Sequence, residues 1–170
     1  MDATAPTSVP ATTARPAAVP HGHVPVRVRD VVRALGVAGV WITAASATRE
    51  PARQRAQVAI IGAAAGTYLN GGFGRAELVF ATTAGYGAYR GARSYRWIGA
   101  SWIAHTVWDL AHHVAGRPMI SWLPTSSMEC AVTDTVLAVW FLAGAPDVLK
   151  PWRAAVAGLR EQASLLTTNG

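Results

Sequence analysis

The stretch WIGASWIAHTVWDLAHHVAG, residues 97–116, decides the fold class, because it is long, apolar and free of lysine and arginine. A membrane-spanning helix needs roughly 17–25 mainly apolar residues. The stretch also carries three histidines and one aspartate, and ionisable side chains are costly in lipid. It therefore predicts a membrane helix whose polar side chains have a specific structural or functional role.

Four other blocks of similar length and apolarity occur in the chain. They cover residues 31–48, 56–74, 76–92 and 127–145, and short charged connectors separate them. Because 51% of the 170 residues are hydrophobic, too little polar sequence remains to cover a soluble bundle of such helices. We expect an all-α integral membrane bundle of about five transmembrane helices within residues 27–148.

The two ends of the chain differ in composition from this bundle. Residues 1–26 are rich in Ala, Thr and Pro and show no apolar period, which predicts a disordered amino-terminal tail. Residues 149–170 include PWRAAVAGLREQA, which predicts an interfacial helix followed by a short tail. The first apolar block ends in ASA at residues 45–47, so cleavage as a signal peptide is an alternative to a retained helix.

The net charge of +6 comes almost wholly from arginines in the connectors. No basic helix with interleaved aromatic residues occurs, so we expect no nucleic-acid partner. The more basic loops lie around residues 49–55, 90–96 and 150–160, and the positive-inside rule places them in the cytoplasm. The expected location is therefore the cell membrane, multi-pass, with the amino terminus outside and the carboxyl terminus cytoplasmic.

The polar residues of the opening stretch fall on one face of a helix. At about 100° per residue, His105, Asp109 and His112 lie within about 60° of one another. Ser101 extends this stripe by one turn, and His113 lies beside Asp109. A central aspartate costs roughly 2.5–3.5 kcal/mol in a membrane. We therefore expect the polar stripe to face the bundle interior or a wet cavity.

Polar residues of three other blocks are expected at the same depth as this stripe. Asp134 follows Cys130 by four residues, on one face of the fifth block. The turn between the second and third blocks is flanked by Tyr68, Asn70 and Glu77. Because successive blocks cross the membrane in opposite directions, these groups are expected to share the outer half of the bundle.

Two local patterns predict how the helices begin and pack. Ser126 followed by Glu129 predicts a capping box at the start of the fifth helix. The small residues Gly39, Gly62 and Gly66 predict close approach between helices, as is common in lipid.

Three interpretations of the polar residues stay open. In the first, they only hydrogen-bond neighbouring helices together. In the second, His105, Asp109 and His112 bind a metal ion, and zinc or iron suits such nitrogen and oxygen ligands. In the third, Asp109, Asp134 and His113 perform acid–base catalysis or relay protons without a metal. The supporting polar residues in all three are Ser101, Tyr68, Asn70, Glu77 and Cys130.

The motif HTVWDLAHH (105–113), with YLNGGFGRAELVF (68–80) before it and GRPMISWLPTSSMECAVTD (116–134) after it, resembles a family of small bacterial integral-membrane proteins of unknown function. The resemblance covers about residues 56–146 and rests on an HTxWDxxHH pattern. It implies a multi-helix membrane fold and no particular activity. The matching motif positions are His105, Trp108, Asp109, His112, His113 and Asp134.

The function expected from these residues is that of a membrane enzyme acting on a lipid-like or isoprenoid substrate, with or without a metal ion. Membrane lipids are the expected partners, since no large soluble domain exists to capture a polar substrate. The alternative is a small proton or cation transport subunit, or a structural subunit whose polar residues mediate helix association. Five spans are few for a transporter, so that alternative implies a homo-oligomer.

Overall fold

The computed structural model describes residues 24–70 and 72–168, which form helices joined by short turns. No strand occurs in these residues, so the all-α prediction is confirmed. A 3-10 turn, Tyr68–Asn70, continues the second helix. The six α-helices of this part of the chain are α1 (Val28–Ala47), α2 (Ala52–Thr67), α3 (Arg75–Gly91), α4 (Tyr95–Val114), α5 (Ser126–Leu142) and α6 (Lys150–Thr168).

The first five helices coincide with the five apolar blocks of the sequence. Among the described residues only α1 is both long and apolar enough to cross a membrane on those two properties alone. Helices α2, α3 and α5 have only 16 or 17 residues, and the polar residues of α4 lower its mean hydropathy. The structure thus has one candidate span, near the amino terminus of the described residues, and five spans stay a prediction. The predicted disordered tail falls largely on residues 1–23, outside the described residues.

Helix α4 is the centre of the bundle, packing mainly against α5 and also against α3 and α2. Helix α1 packs along α5, where the Thr133 hydroxyl donates a hydrogen bond to the Ala34 carbonyl at 3.2 Å. The main hydrophobic cluster fills the half of the bundle away from the polar residues. Its largest buried members are Ile61, Ile98, Trp102, Leu137, Trp140 and Phe141.

The close helix contacts use different glycines from those that the sequence pattern predicted. A Cβ atom built on Gly39, Gly62 or Gly66 meets nothing within 4 Å, so their predicted role in packing within the chain is wrong. A Cβ atom on Gly99 would lie 2.7 Å from the Leu142 side chain, and one on Gly91 would lie 2.8 Å from Ile98. Glycine at these two positions therefore lets α4 approach α5 and α3 closely.

The predicted capping box at the start of α5 is also wrong. The N-cap residue is Thr125, whose side chain makes no capping hydrogen bond. Ser126 instead accepts a hydrogen bond from the Ile120 amide at 2.9 Å, which fixes the preceding loop. Glu129 accepts hydrogen bonds from the Thr125 hydroxyl and from the Arg33 guanidinium of α1. Glu129 thus ties α5 to α1 instead of closing its own helix end.

The surface of the bundle is aliphatic where its interior is polar. On α4, His105 and Asp109 are completely buried, whereas Val107 is 60% exposed. On α3, Glu77 is buried, and Val79 two residues later is 68% exposed. This distribution is the reverse of the polar-outside pattern of a typical surface helix.

Helix α6 lies against the bundle through few contacts. The Arg153 guanidinium donates a hydrogen bond to the Ser46 carbonyl at 2.9 Å and pairs with the Asp147 carboxylate. Trp152 and Leu159 are exposed on this helix. The predicted helix within residues 149–170 is therefore present, and its position at a membrane surface stays a prediction.

Candidate functional site

Asp109 lies at the centre of the buried polar residues. The 3-10 turn after α2 brings the Tyr68 hydroxyl into the bundle, where it donates a 2.7 Å hydrogen bond to Asp109 Oδ1. Asp134 of α5 lies close enough for its carboxyl group to form a side-chain hydrogen bond with Asp109. The structure thus brings these three residues together, and they link the end of α2 to α4 and α5.

A second polar group surrounds His112, one turn further along α4. Its Nε2 atom lies 3.4 Å from Glu77 Oε1 of α3. The other Glu77 oxygen accepts a 3.0 Å hydrogen bond from Trp108 Nε1, and Glu77 Oε1 accepts one from the Phe73 amide at 3.2 Å. Glu77 therefore orders the turn before α3 and holds it against α4.

His105 lies one turn before Asp109 in an aromatic pocket. Its Nδ1 atom is 2.9 Å from the Ser101 carbonyl oxygen, which can only accept, so Nδ1 carries the hydrogen. The rings of Phe80, Tyr68 and Trp102 lie 5.1–5.7 Å from the imidazole, centroid to centroid. His105 is thus a positioned imidazole with its Nε2 atom left without a hydrogen-bond partner.

The predicted metal ligands do not converge. In the described part of the chain, no group of three or more His, Cys, Asp or Glu side chains is placed to hold a metal ion. His105 and His112 are seven residues apart, which is a rise of about 10 Å along α4. Zinc–nitrogen bonds are only about 2 Å long, so two ligands of one ion would have to lie much closer together than this. The zinc or iron hypothesis for His105, Asp109 and His112 therefore has no support in this geometry.

The remaining predicted residues take different positions. Ser101 is buried and donates a hydrogen bond to the Trp97 carbonyl at 2.9 Å, so its hydroxyl serves α4 itself. His113 is buried near the end of α4, about 100° around the helix from His112. The side chain of Asn70 lies outside the described residues. Cys130 is partly buried on α5, one turn before Asp134.

A cavity of about 490 Å³ lies beside the polar centre, between α1, α2 and α5. Asp134, Cys130 and Tyr68 contribute to its wall, and most of the remaining lining is apolar. Trp102 of α4 and the loop residue Leu123 complete it. The acidic pair therefore has one member at the wall of a mainly apolar cavity that is partly open to the surface of the bundle, and small-molecule sites are commonly lined in this way.

Sequence reasoning missed the contribution of α1 to this site. Arg33 and Trp41 line the cavity, and Arg33 pairs with Glu129 across its rim. The signal was available in part, because Arg33 is a charged residue inside an otherwise apolar block. Its partner Glu129 was predicted to cap α5, so the salt bridge between Arg33 and Glu129 was not predicted.

Comparison with known proteins gives a family but no activity. Residues 29–147 match the profile of a family of unknown function, DUF6010. No curated protein and no solved structure matches the chain. The matched region covers α1–α5 and every residue of the polar site. The chain therefore belongs to the DUF6010 family of unknown function.

Proposed function

We propose that this protein is a multi-pass membrane protein that binds a lipid-like molecule in the 490 Å³ cavity and performs acid–base chemistry on it. Asp134 is the proposed general acid and base, supported by Asp109 and Tyr68. The observation that carries the proposal is the position of Asp134, in the wall of an apolar cavity and linked to a second buried carboxyl group.

The inverted distribution of polarity supports the membrane location. Exposed valines on α3 and α4 would lose free energy in water, roughly 25 cal/mol per Å² of apolar surface, and lose none in lipid. Helices of 16–20 residues rise about 24–30 Å, close to the thickness of a hydrocarbon core. The shorter helices would cross with little tilt. In this proposal α1 is retained, because it supplies Arg33 and Trp41 to the cavity.

The cavity supports a lipid-like ligand. Its volume falls within the range of about 300–1,000 Å³ that small-molecule sites occupy. The two ions at its rim, Arg33 and Glu129, satisfy each other, so the space behind them offers mainly apolar contacts. An isoprenoid or an alkyl chain fits this lining better than a sugar or a nucleotide, whose polar groups would lack partners.

The carboxyl pair supplies the chemistry. Two carboxyl groups in contact inside a protein avoid repulsion when they share one proton. Asp134, at the cavity wall, can then give this proton to a substrate carbon or oxygen and take one back. The hydrogen bond from the Tyr68 hydroxyl stabilises negative charge on Asp109. Tyr68 and Asp109 are therefore positioning residues, and Asp134 is the residue that would meet the substrate.

The single cysteine gives a direct test of ligand binding. Cys130 lies in the cavity wall and is the only cysteine of the chain. We expect farnesol to slow the alkylation of Cys130 by N-phenylmaleimide at least fivefold in protein reconstituted in liposomes, and glycerol to leave it unchanged. The matched control is Cys130→Ser with Val139→Cys, which places the thiol on the exposed face of α5. Equal slowing at both positions, or none at Cys130, would refute a ligand in the cavity.

The chemical role of Asp134 needs a separate experiment. Mass spectrometry of lipid extracts compares cells that express the wild type, Asp134→Asn or Glu161→Gln, a substitution on exposed α6. We expect the same lipid species to change in the wild type and Glu161→Gln, and to stay unchanged in Asp134→Asn. Identical extracts from the wild type and Asp134→Asn would contradict the catalytic role.

Proton transfer across the bundle is a second candidate function, favoured by one observation. In the part of the chain that the structure describes, four buried side-chain atoms make no hydrogen bond, and all belong to α4: Trp102 Nε1, His105 Nε2, Asp109 Oδ2 and His112 Nε2. Of these, His112 Nε2 lies 3.4 Å from Glu77 Oε1, close enough to form an ion pair when the imidazole is protonated. Buried polar groups are normally satisfied, so a row of unsatisfied ones along one helix suits a hydrated proton path. A pH-sensitive dye in liposomes would record a proton flux that Asp109→Asn abolishes.

A further inference from the structure

We infer that the cavity binds an aliphatic amphiphile in one orientation, with its polar head beside Asp134 and its tail ending against Trp41 and Trp102. These two tryptophans set the longest tail that fits. The inference rests on the proposed function, because it specifies the ligand of the same cavity. It makes Trp41 a specificity-determining residue of α1.

The polar and apolar residues of the cavity separate along the helix axis. Arg33 of α1 forms a salt bridge with Glu129 of α5. Ala34, which follows Arg33 on α1, accepts a hydrogen bond from the Thr133 hydroxyl of α5 through its carbonyl oxygen. Asp134 therefore lies near the level of Arg33, at the polar end of the cavity. One and two turns further along α1, the lining residues are Val37 and then Trp41, which are apolar.

The apolar end of the cavity is closed by packed aromatic rings. The Trp41 and Trp102 rings meet edge to face, 5.7 Å apart. Trp41 Nε1 donates a 3.1 Å hydrogen bond to the Gln57 side chain, which fixes the orientation of the indole. Trp102 belongs to the main hydrophobic cluster, and Trp41 and Ile60 pack against it. The cavity therefore ends where this well-packed cluster begins.

The dimensions limit the ligand. From Arg33 to Trp41 the helix rises about 12 Å, at about 1.5 Å per residue. At about 30 Å³ for a water-sized group, 490 Å³ corresponds to about 16 non-hydrogen atoms. This size fits a straight or branched tail of ten to fifteen carbons with a head of one oxygen atom.

The charges at the polar end favour a neutral head. The guanidinium of Arg33 is shared between Glu129 and Asp30, both of which pair with the same nitrogen, Nη2. An anionic head would have to compete with two carboxylates for this one cation. An alcohol, aldehyde or ketone needs only a hydrogen-bonding partner, which Asp134 provides. The geometry therefore points to a neutral oxygenated amphiphile.

A series of n-alkanols from octanol to octadecanol tests the limit on tail length. The readout is protection of Cys130 from N-phenylmaleimide in liposomes. In the wild type we expect protection to rise to about twelve carbons and to fall at least fivefold by sixteen to eighteen. Trp41→Ala should move this cut-off to longer chains by three or more carbons, and Trp41→Phe by fewer. Trp122→Ala, which changes an exposed ring outside the cavity, should leave the cut-off unchanged.

The possible outcomes separate the two claims. Because Trp41→Phe keeps an aromatic ring, it preserves the test if Trp41→Ala fails to fold. An unchanged cut-off in either folded Trp41 variant would overturn the inference on tail length while leaving ligand binding intact. A lack of protection by every alkanol in the wild type would overturn ligand binding itself. Gln57→Ala, which frees the Trp41 indole, should broaden the cut-off without moving it to shorter chains.

Discussion

Removal of one hydroxyl group tests the buried polar centre most sharply. In Tyr68→Phe, Asp109 Oδ1 loses its 2.7 Å hydrogen bond, and Asp109 Oδ2 has no partner to compensate. A bond to a charged group contributes about 1.5–3 kcal/mol in proteins, and hydrogen bonds in membrane bundles contribute up to about 1.7 kcal/mol. Because one bond to one oxygen of a buried carboxyl group is lost, we expect a loss of about 1.5 kcal/mol in the free energy of unfolding, roughly a tenfold change in the equilibrium constant.

The assay is equilibrium unfolding in mixed micelles of mild detergent and SDS, followed by circular dichroism. Tyr68→Phe, Asp109→Leu and the double variant form a double-mutant cycle, in which we expect a coupling energy of about 1 kcal/mol or more. Tyr89→Phe, whose ring is exposed, is the control and should stay within about 0.5 kcal/mol of the wild type. Strictly additive effects of the two substitutions would refute the Tyr68–Asp109 interaction.

Three further outcomes are expected. Gly99→Ala should destabilise the bundle by about 1–3 kcal/mol, because its new Cβ would lie too close to Leu142. Gly62→Ala has open space around it and should stabilise α2 by up to about 1 kcal/mol. Thermal unfolding of the two variants measures this difference. A tag at the carboxyl terminus should be inaccessible to antibody outside intact cells, and labelling there would reverse the orientation. Arg153→Ala breaks the bond to the Ser46 carbonyl and should speed hydrogen exchange at the start of α6 with little change in global stability.

The helices and their buried faces were predictable from the sequence because both depend on local periodicity. Five apolar blocks gave five helices, and the wheel placed His105, Asp109 and His112 on one face, which the structure buries. The expected direction of each helix also predicted that Tyr68, Glu77 and Asp134 would lie in the same half of the bundle as that face. These features follow from the 3.6-residue period and the direction of each helix.

The positions of His105 and His112 along α4 were not visible in the helical wheel. A helical wheel compresses the axis, so His105 and His112 look adjacent although the helix rise separates them by about 10 Å. In the fold they contact different partners, with Glu77 beside His112 and the Ser101 carbonyl beside His105. Residues on the same face of a helix, such as His105 and His112, therefore need not belong to the same binding site.

The cavity was not predictable, because it depends on how three helices fail to fill the space between them. Its polar end needs Arg33 of α1 beside Glu129 of α5, a contact between residues 96 positions apart. The close α4–α5 approach at Gly99 likewise depends on tertiary contacts, and the sequence pattern pointed to Gly62 and Gly66 instead. The cavity and the α4–α5 contact therefore depend on packing between distant segments, which the periodicity of single helices does not predict.

The membrane environment of the aliphatic surface is the central claim of this account. Its most direct measurement is the accessibility of a nitroxide spin label at Val107→Cys in a Cys130→Ser background, in liposomes. We predict frequent collision with oxygen, which dissolves in lipid, and little collision with a water-soluble nickel chelate. A label at Glu161→Cys on α6 should show the opposite preference and serves as the control. A label at position 107 that collides mainly with the nickel chelate would contradict the membrane bundle and the lipid-like ligand proposed for it.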